Sequence, residues 1–141
     1  QAYMDALHIS ESNIINQTFH NPLGKMNGQD ICIISLKEVS GNGLCCYRQV
    51  NDSDVLVLLE EQDYNEILDE TLQRIRRDFN HISGVFSINC VFRYLLFSQE
   101  HHMEDYLKTM STLGDHAGLI GFGEHYNQQF VNQTMTCVVF E

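Results

Sequence analysis

The sequence predicts an α+β domain: a mostly antiparallel sheet, an N-terminal helix and two further helices packed on the sheet. Three observations lead there. Short apolar, β-branched runs recur between Gly-, Asn- and Asp-rich turns. Two later stretches instead carry apolar residues at helical spacing. The chain has 141 residues, 43% of them hydrophobic, which suits one continuous core. Read in order the elements are α-β-β-β-α-β-α-β-β, with short turns joining neighbouring strands.

Residues 2–15 place Tyr3, Leu7, Ser10 and Ile14 on one helical stripe beside Ala6. His20-Asn21-Pro22-Leu23-Gly24 reads as a turn, because Pro fixes φ and Gly permits positive φ. Ile31-Cys32-Ile33-Ile34 suggests a strand within 30–39. Ser40-Gly41-Asn42-Gly43 is hairpin chemistry leading to a returning strand over 44–50. After Asn51-Asp52-Ser53-Asp54, residues 55–59 make a third strand and complete an antiparallel meander. Tyr64, Ile67, Leu68, Thr71, Leu72, Ile75 and Phe79 then fall on one helical face. Asp63 is its expected N-cap, with Glu66 as capping-box partner. Arg74, Arg76 and Arg77 complement the C-terminal end of the dipole rather than mark a phosphate site. Residues 84–91 read as a buried strand. A helix over 100–113 carries Met103, Tyr106, Leu107 and Met110 on one face and stops at Gly114. Strands over 118–123 and 130–140 finish the chain.

Composition narrows the function classes. Eight Lys and Arg against 19 Asp and Glu give a net charge of −11, which disfavours nucleic acid and anionic membranes as partners. No apolar run approaches the roughly 20 residues that cross a bilayer. The five cysteines are odd in number, lack a C-x-x-C pair and sit mostly in apolar stretches, so free thiols in a reducing, cytoplasmic setting are expected. On that reading the N-x-S/T matches at Asn16, Asn51 and Asn132 are chance. The segment begins at Gln1 without a signal peptide, and we expect a single domain spanning 1–141, excised from a longer chain.

Polar groups interrupt three otherwise apolar stretches. In Ser87-Ile88-Asn89-Cys90-Val91-Phe92-Arg93, Ser87 and Asn89 share a strand face, and Arg93 stands past the strand's end, where a guanidinium can hold a carboxylate. In Gly121-Phe122-Gly123-Glu124, two glycines let the backbone bend or approach another group, and Glu124 can meet an amine. Asn132 and Thr134 can line a cleft. Each stretch also has a plain structural reading, as a surface arginine, a bulge or a strand edge. Adjacent His101 and His102 lack the i, i+4 spacing of a zinc pair, so no metal, and no cofactor, is expected. A Cys90–His–Glu124 arrangement for a Cys-dependent hydrolase or transferase has no local signature; no catalytic residue is assigned.

Together these stretches resemble the FIST C-terminal domain. His20-Asn21-Pro22-Leu23-Gly24 resembles the family's PLG turn, and Phe86 to Arg93 is similar to its Ser-x-Cys-x-x-Arg strand. Gly118 to Glu124 and Asn132-Gln133-Thr134 resemble its GF/GE and N-x-T elements, with the GF-to-GE spacing shortened here. The resemblance implies a non-catalytic, cytoplasmic sensory module of a bacterial signal-transduction protein, associated with chemotaxis or histidine kinases. It implies a small-molecule ligand, with amino acids as candidates, and partners in a companion N-terminal FIST domain and a downstream signalling domain. The candidate ligand-binding residues are Asn89, Cys90, Arg93, Gly123, Glu124, Asn132 and Thr134. The alternative is an interaction module that docks the companion domain or forms a homodimer.

Overall fold

A computed structural model of the protein describes residues 1–127 and 129–141. The chain gathers into two compact units, Gln1–Glu61 and Gln62–Glu141. The α+β class holds in both.

The first unit opens with helices α1 (Ala2–Leu7) and α2 (Ile14–Gln17), separated by a single 3-10 turn at Glu11–Asn13. The one helix expected over 2–15 is therefore corrected to two short ones. His8 closes α1 in the left-handed conformation at φ 54°, and Ser10 is extended. The stripe still does its packing: Tyr3 and Ile14 are buried with Leu36, and Leu7 packs against them. The Tyr3 hydroxyl donates to the Asn21 carbonyl at 2.7 Å, and burial pushes its pKa up to about 12.

Strands β1 (Leu23–Asn27), β2 (Asp30–Ile34) and β5 (Leu56–Leu58) form an antiparallel sheet ordered β2-β1-β5. Strands β3 (Leu36–Ser40) and β4 (Gly43–Cys46) form a separate hairpin. The expected meander is thus wrong: the strand at 55–59 pairs with β1, which sequence reasoning read as a turn. Gly24 lies inside β1, and its role is close approach rather than positive φ. A Cβ there would sit 2.7 Å from Ile31 Cγ2 and 2.9 Å from Val57 Cγ2.

In the second unit α3 (Tyr64–Asp78) matches its expected span. Asp63 caps it by accepting from the amides of Asn65 and Glu66, and Leu68 and Leu72 are buried. Strand β6 (Gly84–Cys90) runs directly into α4 (Val91–Gln99), a helix the sequence reading did not contain. Helix α5 (Met103–Met110) follows, so His101 and His102 lie between two helices rather than within one. Strands β7 (Asp115–Gly121), β8 (Glu124–Tyr126), β9 (Gln129–Val131) and β10 (Met135–Phe140) complete the chain.

Strand β6 is central in the order β10-β6-β7. It pairs antiparallel with β10 and parallel with β7, whereas β8 and β9 form their own antiparallel hairpin. A parallel pair needs a long crossover, and α4 and α5 supply it. The crossover sets the register that matters below: Ser87 lies opposite Gly118 and Cys137, and Asn89 opposite Ile120 and Met135.

Candidate functional site

The strand-to-helix junction places the first group. Asn89 stands one residue before the end of β6, and Arg93 lies in the first turn of α4. The Arg93 Nε–H donates to Asn89 Oδ1 at 3.3 Å, and its guanidinium carbon lies 4.8 Å from the centre of the Phe97 ring. Cys90, between them in sequence, is buried and acts electrostatically on Arg93. Burial draws the arginine's pKa down, while Tyr106, Glu124 and Cys90 oppose that shift.

The β8–β9 hairpin places the second group. Gly123 precedes β8 at φ +145°, and a Cβ there would strike the Phe130 ring and lie 2.8 Å from Asn132 Oδ1. Both the dihedral and the space demand glycine. Glu124 follows and is only 2% exposed. The Thr134 hydroxyl donates to its Oε2 at 2.6 Å. Among the described residues, its Oε1 has no hydrogen-bond partner, and neither has the Oδ1 of buried Asn132. Burial pushes the Glu124 carboxyl above the ordinary carboxylate range, and the Thr134 bond and the Arg93 charge act against that rise.

Two hydrogen-bonded pairs, Asn89 with Arg93 and Thr134 with Glu124, anchor the candidate residues. Asn89 bonds Arg93, Arg93 interacts electrostatically with Cys90 and Glu124, Glu124 bonds Thr134, and Asn132 crowds Gly123. Chemically the group offers one cation, one carboxylate with a raised proton affinity, and two buried acceptors without donors. Among the described residues of 62–141, no three His, Cys, Asp or Glu side chains converge as a metal would require.

A sequence model of the FIST C domain matches residues 1–127. The chain belongs to the FIST C domain family. The match runs through both compact units. It identifies the chain with sensory domains of signal-transduction proteins. No curated protein and no solved structure matches the chain significantly. No helix of this FIST C domain, among the described residues, is long and apolar enough to cross a membrane.

Three side chains that sequence reasoning did not assign complete the polar interior of the FIST C domain. Ser87 Oγ lies 2.9 Å from His116 Nε2 and 3.1 Å from the Tyr106 hydroxyl. Asn89 Nδ2 donates to that hydroxyl at 2.7 Å. Tyr106 also reaches Met135 Sδ at 3.2 Å, a weak acceptor for a hydroxyl. The shared face of Ser87 and Asn89 was readable. Tyr106 read as core, and His116 lies 29 residues from Ser87, joined only by the parallel pairing. Burial lowers the His116 pKa, favouring the neutral ring.

Proposed function

We propose that the chain senses a small ligand, with free amino acids as the first candidates, for a signal-transduction protein in the cytoplasm. The family membership supports the sensory role. One observation carries the ligand assignment: among the described residues, Glu124 Oε1 and Asn132 Oδ1 are buried acceptors without donors, and the Arg93 charge acts on Glu124. A buried polar atom left unpaired costs about 1–3 kcal/mol. An ammonium group entering there would recover that cost, while Arg93 holds the carboxylate of the same molecule. Asn89 and Thr134 fix the two charged side chains, Gly123 keeps the backbone close, and buried Cys90 acts on the Arg93 charge. The module acts with its companion N-terminal FIST domain and an output domain, and without turnover of the ligand.

A thermal-shift panel of amino acids on the full chain tests this. Ligand at 100 times its Kd stabilises the native state by about 2.7 kcal/mol. At least one compound is expected to raise Tm by several degrees, and Arg93→Ala is expected to abolish that rise. No shift with any of the panel, or a shift unchanged in Arg93→Ala, refutes the assignment.

A second reading has its own observation. On the sheet face opposite Ser87 and Asn89, Leu119, Val138 and Phe140 are each about half exposed. Such a face suits docking of the companion domain or a second copy. Sedimentation over a concentration series, with and without the companion domain, distinguishes this reading. A monomer that associates with neither overturns it.

A further inference from the structure

A cleft of about 280 Å³ opens between α4, α5 and the edge strand β7. Of the candidate ligand residues discussed above, only Asn89 borders it. Its walls are apolar: Phe97, Met103, Leu107 and Ile120. Its polar lining comes from the Ser87–His116–Tyr106 cluster, whose members lie within about 3 Å of one another through Ser87 Oγ.

We propose that this cleft binds a small uncharged aromatic molecule bearing one hydrogen-bonding group, of the size of phenol or indole. Four features lead to that class. The volume is ample for one or two rings, since apolar cavities of about 150 Å³ already admit benzene. Among the described residues, no Asp, Glu, Lys or Arg lines the cleft, so a charged ligand would lose its hydration without gaining a counter-charge. The Phe97 and Tyr106 rings already pack at a tilted 5.7 Å, and the Met103 thioether supplies a soft edge for another ring. The hydroxyls of Ser87 and Tyr106 and the imidazole of His116 include both donors and acceptors. A single ligand hydroxyl, indole N–H or carbonyl can therefore join their network. The Tyr106 hydroxyl's contact with Met135 sulfur is weak, and a ligand oxygen is a better acceptor. Gly118 keeps the floor open, because a Cβ there would lie 2.6 Å from Ser87 Oγ.

The test is a methyl-detected NMR titration of the full chain, labelled at Met and Ile, with phenol, indole, toluene, benzoate and benzylammonium. Phenol and indole are expected to shift the Met103 and Ile120 methyls saturably. Toluene, which lacks the hydrogen-bonding group, is expected to bind about fivefold more weakly. Benzoate and benzylammonium are expected to give no saturable shift. Leu107→Trp, a half-exposed wall position, fills the cleft and is expected to abolish phenol binding. Ile120→Trp, also half exposed, serves the same purpose if that variant does not fold. Glu124→Gln, whose hydrogen-bond partner Thr134 is not in the cleft's lining, is expected to leave phenol affinity within twofold, which separates this site from the amino acid reading above. The proposal is overturned if neither phenol nor indole saturates, if a folded Trp variant binds phenol like the wild type, or if a charged isostere binds as tightly. Loss of phenol binding in Glu124→Gln overturns the independence of the cleft.

Discussion

Replacing Gly118 with alanine probes how the buried polar cluster is built. Gly118 sits opposite Ser87 in the parallel β6–β7 pair. An added Cβ would lie 2.5 Å from the Ser87 carbonyl oxygen and 2.6 Å from Ser87 Oγ. Ordinary contact is about 3.5–4 Å, so the two strands must separate by roughly 1 Å or Ser87 must rotate away. Separation is an overpacking cost of about 1–3 kcal/mol. Rotation breaks the bonds from Ser87 Oγ to His116 and Tyr106, at about 1 kcal/mol each. Either way the expected loss is about 1–3 kcal/mol, a sizeable share of the roughly 5–15 kcal/mol that holds a domain folded. In differential scanning calorimetry this corresponds to a Tm lower by roughly 4–10 °C. Gly121→Ala, in the same strand as Gly118, is the control, because a Cβ there would meet nothing nearer than the Gly123 carbonyl oxygen at an ordinary 3.4 Å. If Gly118→Ala costs no more than Gly121→Ala, the close approach of β7 to Ser87 is not what holds the cluster.

Three further outcomes follow from the same structure. Burial raises the Glu124 pKa, so the native state holds that proton more tightly than the unfolded chain does. The resulting stabilisation is complete below the ordinary glutamate pKa of about 4.3 and is lost as pH rises through the folded value. Glu124→Gln removes this component, so its urea midpoint relative to the wild type should rise between pH 4 and pH 7; a constant difference would refute the raised pKa. Asp63→Ala removes the α3 cap and should cost about 1 kcal/mol, with faster amide exchange at Asn65 and Glu66, and unchanged exchange there would refute the capping role. Tyr106→Phe strips Asn89 Nδ2 of its 2.7 Å acceptor, leaving the 3.4 Å contact to Ser87, and should cost about 1–3 kcal/mol by urea unfolding. A neutral effect would show that the hydroxyl contributes little to the network.

What was legible depended on whether a pattern was local. Helix α3 was readable because its apolar face alternates with charge over fifteen residues and Asp63 marks its start. Helix α4 was not, because Val91-Phe92-Arg93-Tyr94-Leu95-Leu96-Phe97 is apolar at nearly every position and shows no period. The N-terminal stripe was right for Tyr3, Leu7 and Ile14, which pack together, and wrong for Ala6 and Ser10, which are exposed, and about a continuous helix. Periodicity reports a face, whereas the left-handed residue at His8 is set by local backbone. Gly24 was misread because a glycine in sequence does not say whether it serves a positive φ or a close neighbour. For the candidate site, Asn89 and Arg93 were singled out separately in one stretch, and the bond between them was not read, because α4 was not expected after the strand. Glu124 and Thr134 meet because the β8–β9 hairpin returns the chain, and the sequence reading named both residues without expecting that hairpin. The Ser87–His116 contact depends on a parallel register, and no local pattern encodes it.

The central claim is that Glu124 and Arg93 together hold a zwitterionic ligand. Its most direct measurement is an NMR titration of the full chain, labelled at the Glu carboxyl carbons and Arg side-chain nitrogens, with each common amino acid in turn. At least one amino acid is expected to shift the Glu124 carboxyl carbon and the Arg93 Nε–H resonance together, saturably and with a single Kd. If every amino acid leaves both resonances in place, or if one moves without the other, the claim is contradicted.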